Sequence, residues 1–157
     1  MGKNQRKSDM TLDEKVMIFV VMASEMFKKK SSAVFKQYGL TFSHYNVLKH
    51  LVSCEKGRDT VGNVSKRMLV TGANVTGLAK RMEKAGLIER RNDSKDERLT
   101  MLHITALGLK SLEAIREVQE RHVTEYLKAC SSEQKEEVLA VLKQIVRRGK
   151  QLAKVGG

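Results

Sequence analysis

The tightest constraint on this chain lies between residues 60 and 104, where two short helical patterns meet almost without a connection and a charged hairpin pattern follows at once. Val61, Val64 and Met68 recur at spacings of three and four, which predicts a helix over about Thr60 to Met68. Leu69-Val70 is the whole connection. Thr71 then supplies an N-cap for a helix running to about Ala85, and Gly86 supplies its stop. Two helices joined so tightly form a helix-turn-helix. Leu87 to Arg91 and Leu99 to Ile104 have strand composition around the polar tip 92–98. A helix-turn-helix that runs straight into a basic hairpin is a winged helix. In such a fold the second helix enters the major groove of duplex DNA and the hairpin reaches a minor groove or the backbone.

The proposed recognition helix divides cleanly at 100° per residue. Val75, Leu78, Ala79 and Met82 fall on one side and are expected in the core. The other side carries Ala73, Gly77, Lys80 and Lys84, flanked by Asn74, Thr76 and Arg81. Small residues at 73 and 77 let the backbone approach base edges. Asn74 suits paired hydrogen bonds to adenine, and Ala73 or Thr76 suits contact with a thymine methyl. Lys80, Arg81 and Lys84 suit phosphates, which position a protein without specifying sequence. The alternative is an ordinary solvated helix face. On the hairpin, Arg90, Arg91, Lys95 and Arg98 surround the turn, and Asp96 stands two residues from Arg98, close enough to orient its guanidinium or brace the hairpin. The alternative there is a surface hairpin whose charges only keep it in solution.

The rest of the chain reads as helix. There is no proline, aromatics are 4%, and Leu, Met, Lys, Glu and Ala abound. A first helix spans 11–37, and its centre, Val16 to Ala23, is apolar on every side. Such a helix needs cover on more than one face, here the core and a second subunit. A second helix follows the N-cap Thr41 with Tyr45, Leu48 and Leu51, and Gly57 breaks it. A fifth begins near Thr105. Ser131 and Gln134 make a capping box for a sixth, bearing Val138, Leu142, Ile145 and Val146.

With 30 basic and 18 acidic residues the formal charge is +12, and the excess is spread along the chain. Such charge attracts phosphate polymers by counterion release, and anionic membranes as well. The longest apolar run is eight residues, too short to span a bilayer. Two distant cysteines, Cys54 and Cys130, suit a reducing compartment and argue against a disulfide scaffold. These features predict a cytoplasmic protein with no membrane partner. Both cysteines are expected as small core or interface residues. His50 and Cys54 share a helix face, a spacing that offers two zinc ligands, but two are too few and the sequence supplies no others nearby. No metal and no cofactor is expected. Met17, Met22 and Met26 line the first helix as core rather than as a ligand stripe. No nucleophile elbow or phosphate-binding glycine loop occurs, so no enzyme is expected.

Thr71 to Arg91, TGANVTGLAKRMEKAGLIERR, followed by NDSKDERLTMLHITALG, resembles the MarR family of bacterial and archaeal regulators. The likeness rests on the helix capped by Thr71, the exit KAGLIERR, Asp96-x-Arg98, and Ile104-Thr105-x-x-Gly108. It extends in pattern from about residue 12 to 152. The resemblance implies a mainly α fold: a winged helix-turn-helix lobe over 41–104 with a short β-hairpin wing, and dimerisation helices over 11–37 and 105–153, all in one domain, 1–157. It implies a homodimer with Val16, Phe19, Val20, Leu142, Ile145 and Val146 in the interface. DNA contacts fall to Thr71, Ala73, Asn74, Thr76, Gly77, Lys80, Arg81, Lys84, Arg91, Lys95, Asp96 and Arg98. The function implied is sequence-specific repression at a pseudo-palindromic operator, with release by a small aromatic or apolar effector. Two positions depart from the pattern: Gly77 stands where arginine is common, and His44 where glutamine is common. A sequence-indifferent nucleic-acid binder and a winged-helix protein-interaction module stay open as alternatives.

Overall fold

Local chemistry at the helix starts sets the element boundaries. In a computed structural model, described over residues 10–93, 96 and 98–155, Thr11 and Glu14 form a capping box at the start of α1 (Leu12–Lys36). Thr41 and His44 do the same for α2 (Phe42–Ser53), with His44 Nδ1 accepting from the Thr41 N–H at 3.4 Å. Thr60 caps α3 (Val61–Met68) and Thr71 caps α4 (Gly72–Lys84). Ser131 and Gln134 exchange two bonds ahead of α6 (Ser132–Val155). Each cap satisfies helix N–H groups that have no partner inside the helix. The α3–α4 turn is as short as its sequence suggests. Leu69 takes up a left-handed conformation there (φ 55°), one that glycine normally fills.

The hairpin strands are β2 (Ile88–Asn92) and β3 (Thr100–Ile104), paired from Ile88↔Ile104 to Asn92↔Thr100. A third strand, β1 (Arg58–Thr60), joins the other edge of β3 with Arg58 opposite His103, giving the antiparallel order β1-β3-β2. The sequence reading has the hairpin alone. Arg58-Asp59-Thr60 carries no alternation of apolar residues, so nothing local announces it. Ahead of β1 a 3-10 turn, Glu55–Gly57, contains two left-handed residues, Lys56 (φ 58°) and Gly57 (φ 63°). The fifth helix, α5 (Ala106–Tyr126), follows β3 directly. The outcome is the mainly helical winged-helix architecture expected from the sequence.

The core belongs to the lobe. Val47, Leu48 and Leu51 of α2, Val64 of α3, Val75, Ala79 and Met82 of α4, Ile88 of β2 and Leu102 of β3 are buried together with Phe35 and Ile115. Phe35 stacks on Tyr45 with ring centroids 4.5 Å apart. The chain divides within α5, between Glu117 and Val118, into two units. In α1 the core contacts come near the C-terminal end, at Ser31 and Phe35. The core does not cover the apolar centre: Val16, Met17, Ile18, Val21 and Met22 are exposed, and Phe19 is 68% exposed. Exposed apolar residues also run along α6, including Val138, Leu142 and Val146.

Candidate nucleic-acid interface

The capping of α4 decides what it offers to solvent. Thr71 Oγ1 accepts from the Asn74 N–H at 3.3 Å, which fixes the first turn. The buried stripe is Val75, Leu78, Ala79 and Met82, as its spacing predicts. That leaves Thr71, Ala73 and Asn74 exposed at the N-terminal end, and Lys80, Arg81 and Lys84 exposed beyond them. Thr76 and Gly77 lie between and are half-buried; Thr76 Oγ1 donates back to the Gly72 carbonyl at 2.9 Å. A Cβ at Gly77 would meet no atom closer than Arg81 Nη1, at 3.7 Å. The Arg81 guanidinium therefore lies over the space a side chain at 77 would enter.

His44 contributes from α2. Burial, and then the positive charge of Arg81, hold its imidazole below the ordinary histidine pKa of 6.5. A neutral ring beside Arg81 leaves the guanidinium as the local charge. The sequence marked His44 only as a departure from the family pattern, not as a neighbour of the recognition helix.

The wing has two kinds of arginine. At its base Arg90 is tied to α4: its N–H donates to Glu83 Oε1 at 3.0 Å and its Nε to Glu83 Oε2 at 2.7 Å. Those bonds hold the Glu83 carboxyl below its usual range. Arg90 is thus a brace between recognition helix and wing, a role that its place among the wing arginines does not reveal. Arg91 pairs with Glu89 through Nε and Nη2 and is exposed. At the tip, Asp96 Oδ1 accepts from both the Arg98 N–H and Arg98 Nε, at 3.1 and 3.0 Å, while Oδ2 accepts from Nη2 at 3.3 Å. The bonds to Arg98 hold Asp96 below its usual pKa. Arg98 remains 90% exposed in its side chain, so its guanidinium is fixed in direction and open to a partner. The Asp96 N–H in turn donates to Asp93 Oδ1 at 3.1 Å. Lys95, counted among the DNA-contacting residues, lies outside the described residues.

The lobe has one further polar cluster, at the joint between α2 and β1. His50 Nε2 lies 2.8 Å from Asp59 Oδ2 and 3.5 Å from Cys54 Sγ. Neither cysteine is a core residue: both are half-buried. Burial and then the Asp59 carboxylate push the Cys54 thiol up, the reverse of an activated redox thiol.

The tightly joined pair α3–α4, followed by a braced hairpin bearing an outward arginine, makes a winged helix-turn-helix. The model of the MarR family matches residues 38–99. The matched segment runs from the residues before α2 to the tip of the hairpin. Over 108 residues it is 24% identical to the HTH-type transcriptional regulator YkoM of Bacillus subtilis (strain 168), covering 69% of each chain. Its fold is similar to that of AbsC, a MarR family transcriptional regulator from Streptomyces coelicolor (TM-score 0.82, 19% identity, 90% of this chain and 97% of that one). It is also similar to S. aureus MepR, solved as a complex with DNA (TM-score 0.77, 23% identity, 89% and 99%). Among the described residues no helix is long and apolar enough to cross a membrane.

Proposed function

We propose that this chain is a cytoplasmic transcriptional regulator, a repressor that binds a pseudo-palindromic DNA operator as a homodimer. The observation that carries the reading is the pairing of two surfaces: the exposed first turn of α4 and the Arg98 guanidinium held outward by Asp96. In this reading Asn74, Ala73 and Thr76 meet base edges, with the α4 backbone brought close at Gly77. Thr71, Lys80, Arg81, Lys84 and Arg91 meet phosphates, and Arg98 enters a minor groove, a role the sequence reading also gives Lys95. The exposed apolar residues of α1 and α6, among them Val16, Phe19, Leu142 and Val146, support a second copy as their cover. Val20 and Ile145 join them at the same spacings. Two recognition helices in a dimer must then stand about 34 Å apart to enter successive major grooves. Met17, Met22 and Met26, expected from the sequence as core, are instead exposed along α1, and there they suit a small apolar or aromatic effector that favours one state of the dimer.

The test is fluorescence anisotropy on duplex from the gene's own upstream region against scrambled duplex, at several salt concentrations. Binding should survive excess scrambled competitor. Asn74→Ala should lose operator preference more than general affinity. Arg98→Ala should weaken every duplex, by about 1–3 kcal/mol for a lost groove contact. Gly77, which offers no side chain to a base, favours a second reading, a sequence-indifferent binder. That reading requires equal, steeply salt-dependent affinity for both duplexes. Absence of binding at low salt would instead favour a protein-interaction module.

A further inference from the structure

The cluster at the α2–β1 joint is unused by any of the DNA-facing machinery. His50 lies in the last turn of α2, Cys54 is its C-cap residue, and Asp59 is the middle residue of β1. Folding brings to the His50/Cys54 pair the third donor that its sequence spacing lacks. All three side chains are half-buried, and their donor atoms Nε2, Sγ and Oδ2 form a triangle with edges of 2.8, 3.5 and 3.7 Å. A tetrahedral zinc ion bound by one nitrogen, one sulfur and one oxygen needs edges of about 3.3–3.6 Å, from bond lengths near 2.0–2.3 Å. The two edges to sulfur already match. The His50–Asp59 edge is a hydrogen bond and has to open by roughly 0.5 Å to admit an ion.

The outer shell fits as well. Asp59 Oδ1 accepts from Asn63 Nδ2 and from the Thr60 N–H, each at 2.7 Å, so the carboxylate is held by one oxygen and presents the other. Such outer bonds orient metal-binding carboxylates. Cys54 and Asp59 both line a cleft of about 380 Å³ shared with Glu55, Lys56, Arg58 and Met101, which gives an ion and a water a way in.

We propose that His50, Cys54 and Asp59 form a three-ligand site for an exchangeable divalent cation of the zinc class, with water in the fourth position. His50 binds through its Nε2 lone pair, and the Cys54 thiol releases its proton to solvent as the sulfur–metal bond forms. Three protein ligands and an open position make the ion exchangeable rather than a permanent staple. The assignment is independent of DNA binding. Its structural effect is to lock the turn holding Lys56 and Gly57, because its ligands come from both sides of that turn.

The test is a cobalt(II) titration of the full metal-free chain carrying Cys130→Ser, which leaves Cys54 as the sole thiol. One equivalent should bind with a thiolate-to-cobalt charge-transfer band in the near ultraviolet and the strong visible bands of four-coordinate cobalt. Cys54→Ser should abolish the charge-transfer band. Asp59→Asn should weaken binding beyond the roughly 10–100-fold loss expected of Asn63→Ala, which touches only the outer shell. Circular dichroism checks that each variant is folded; if Cys54→Ser is not, the graded losses in the other two carry the test. Absence of the band in the parent chain, its persistence in Cys54→Ser, or unchanged affinity in Asp59→Asn and Asn63→Ala overturns the proposal.

Discussion

Two buried or half-buried glycines in the lobe have opposite reasons to be there. A methyl group at Gly108 would stand 2.3 Å from the Leu87 carbonyl oxygen and 2.9 Å from Ile104 Cγ1. Neither the backbone of Leu87, which joins α4 to β2, nor that side chain can retreat freely. This explains the glycine of Ile104-Thr105-x-x-Gly108 as a close approach of the first turn of α5 to the α4–β2 connection and to the end of β3. Gly108→Ala should therefore destabilise the protein by at least the roughly 1–3 kcal/mol usual for overpacking. Gly77 has no such constraint, and Gly77→Ala should stabilise α4 by about 1 kcal/mol. Urea denaturation of the two variants gives midpoints shifted in opposite directions. A shared direction, or no shift at Gly108, would contradict this account.

Between elements, burial and then neighbouring charge govern two histidines. His44 faces α4, where burial and then Arg81 lower its pKa. His103 sits on β3 between the other strands, where burial, then Arg91 of β2 and Arg58 of β1, lower it too. For both, the unfolded chain takes up the proton first as pH falls. Stability from these sites is complete above the ordinary value of 6.5 and is lost as pH drops through it toward the folded pKa. Denaturation midpoints should fall between about pH 7.5 and 5.5, and the double variant His44→Gln, His103→Gln should show a flatter profile. A profile as steep as the parent's would assign the effect elsewhere. The elements themselves were legible where local chemistry sets them: the threonine caps, the α4 stripe, the Gly86 stop, the hairpin around a charged tip. What sequence did not disclose depends on pairing at a distance. β1 is strand by virtue of β3 alone, Arg90 is a brace because Glu83 lies next to the last residue of α4, and Asp59 reaches His50 and Cys54 only after the chain turns back through Lys56 and Gly57.

For the whole molecule, the apolar α1 centre sets the main demand. A helix with Val16, Phe19, Met22 and Met26 exposed over successive turns is unsuited to solitary life in water. Phe19→Asp lies far from the buried Phe35 end of α1, so it should leave the lobe folded while shifting sedimentation of the proposed dimer to that of a monomer. It should also reduce operator affinity, since a monomer presents one recognition helix. Retention of the dimer by a folded Phe19→Asp protein would place the interface elsewhere.

The knot of contacts around Gly108 has a mechanical meaning. Thr105 Oγ1 donates to the Gly86 carbonyl at 2.7 Å and accepts from the Gly108 N–H at 3.0 Å, while the Thr105 N–H donates to the Leu87 carbonyl at 3.2 Å. Gly86 and Leu87 are the residues that carry α4 into the wing. The start of α5 and the end of the recognition helix are therefore riveted together, with no slack for a hinge at that joint. A tilt imposed on the first turn of α5 should be passed to the segment that joins α4 to its wing.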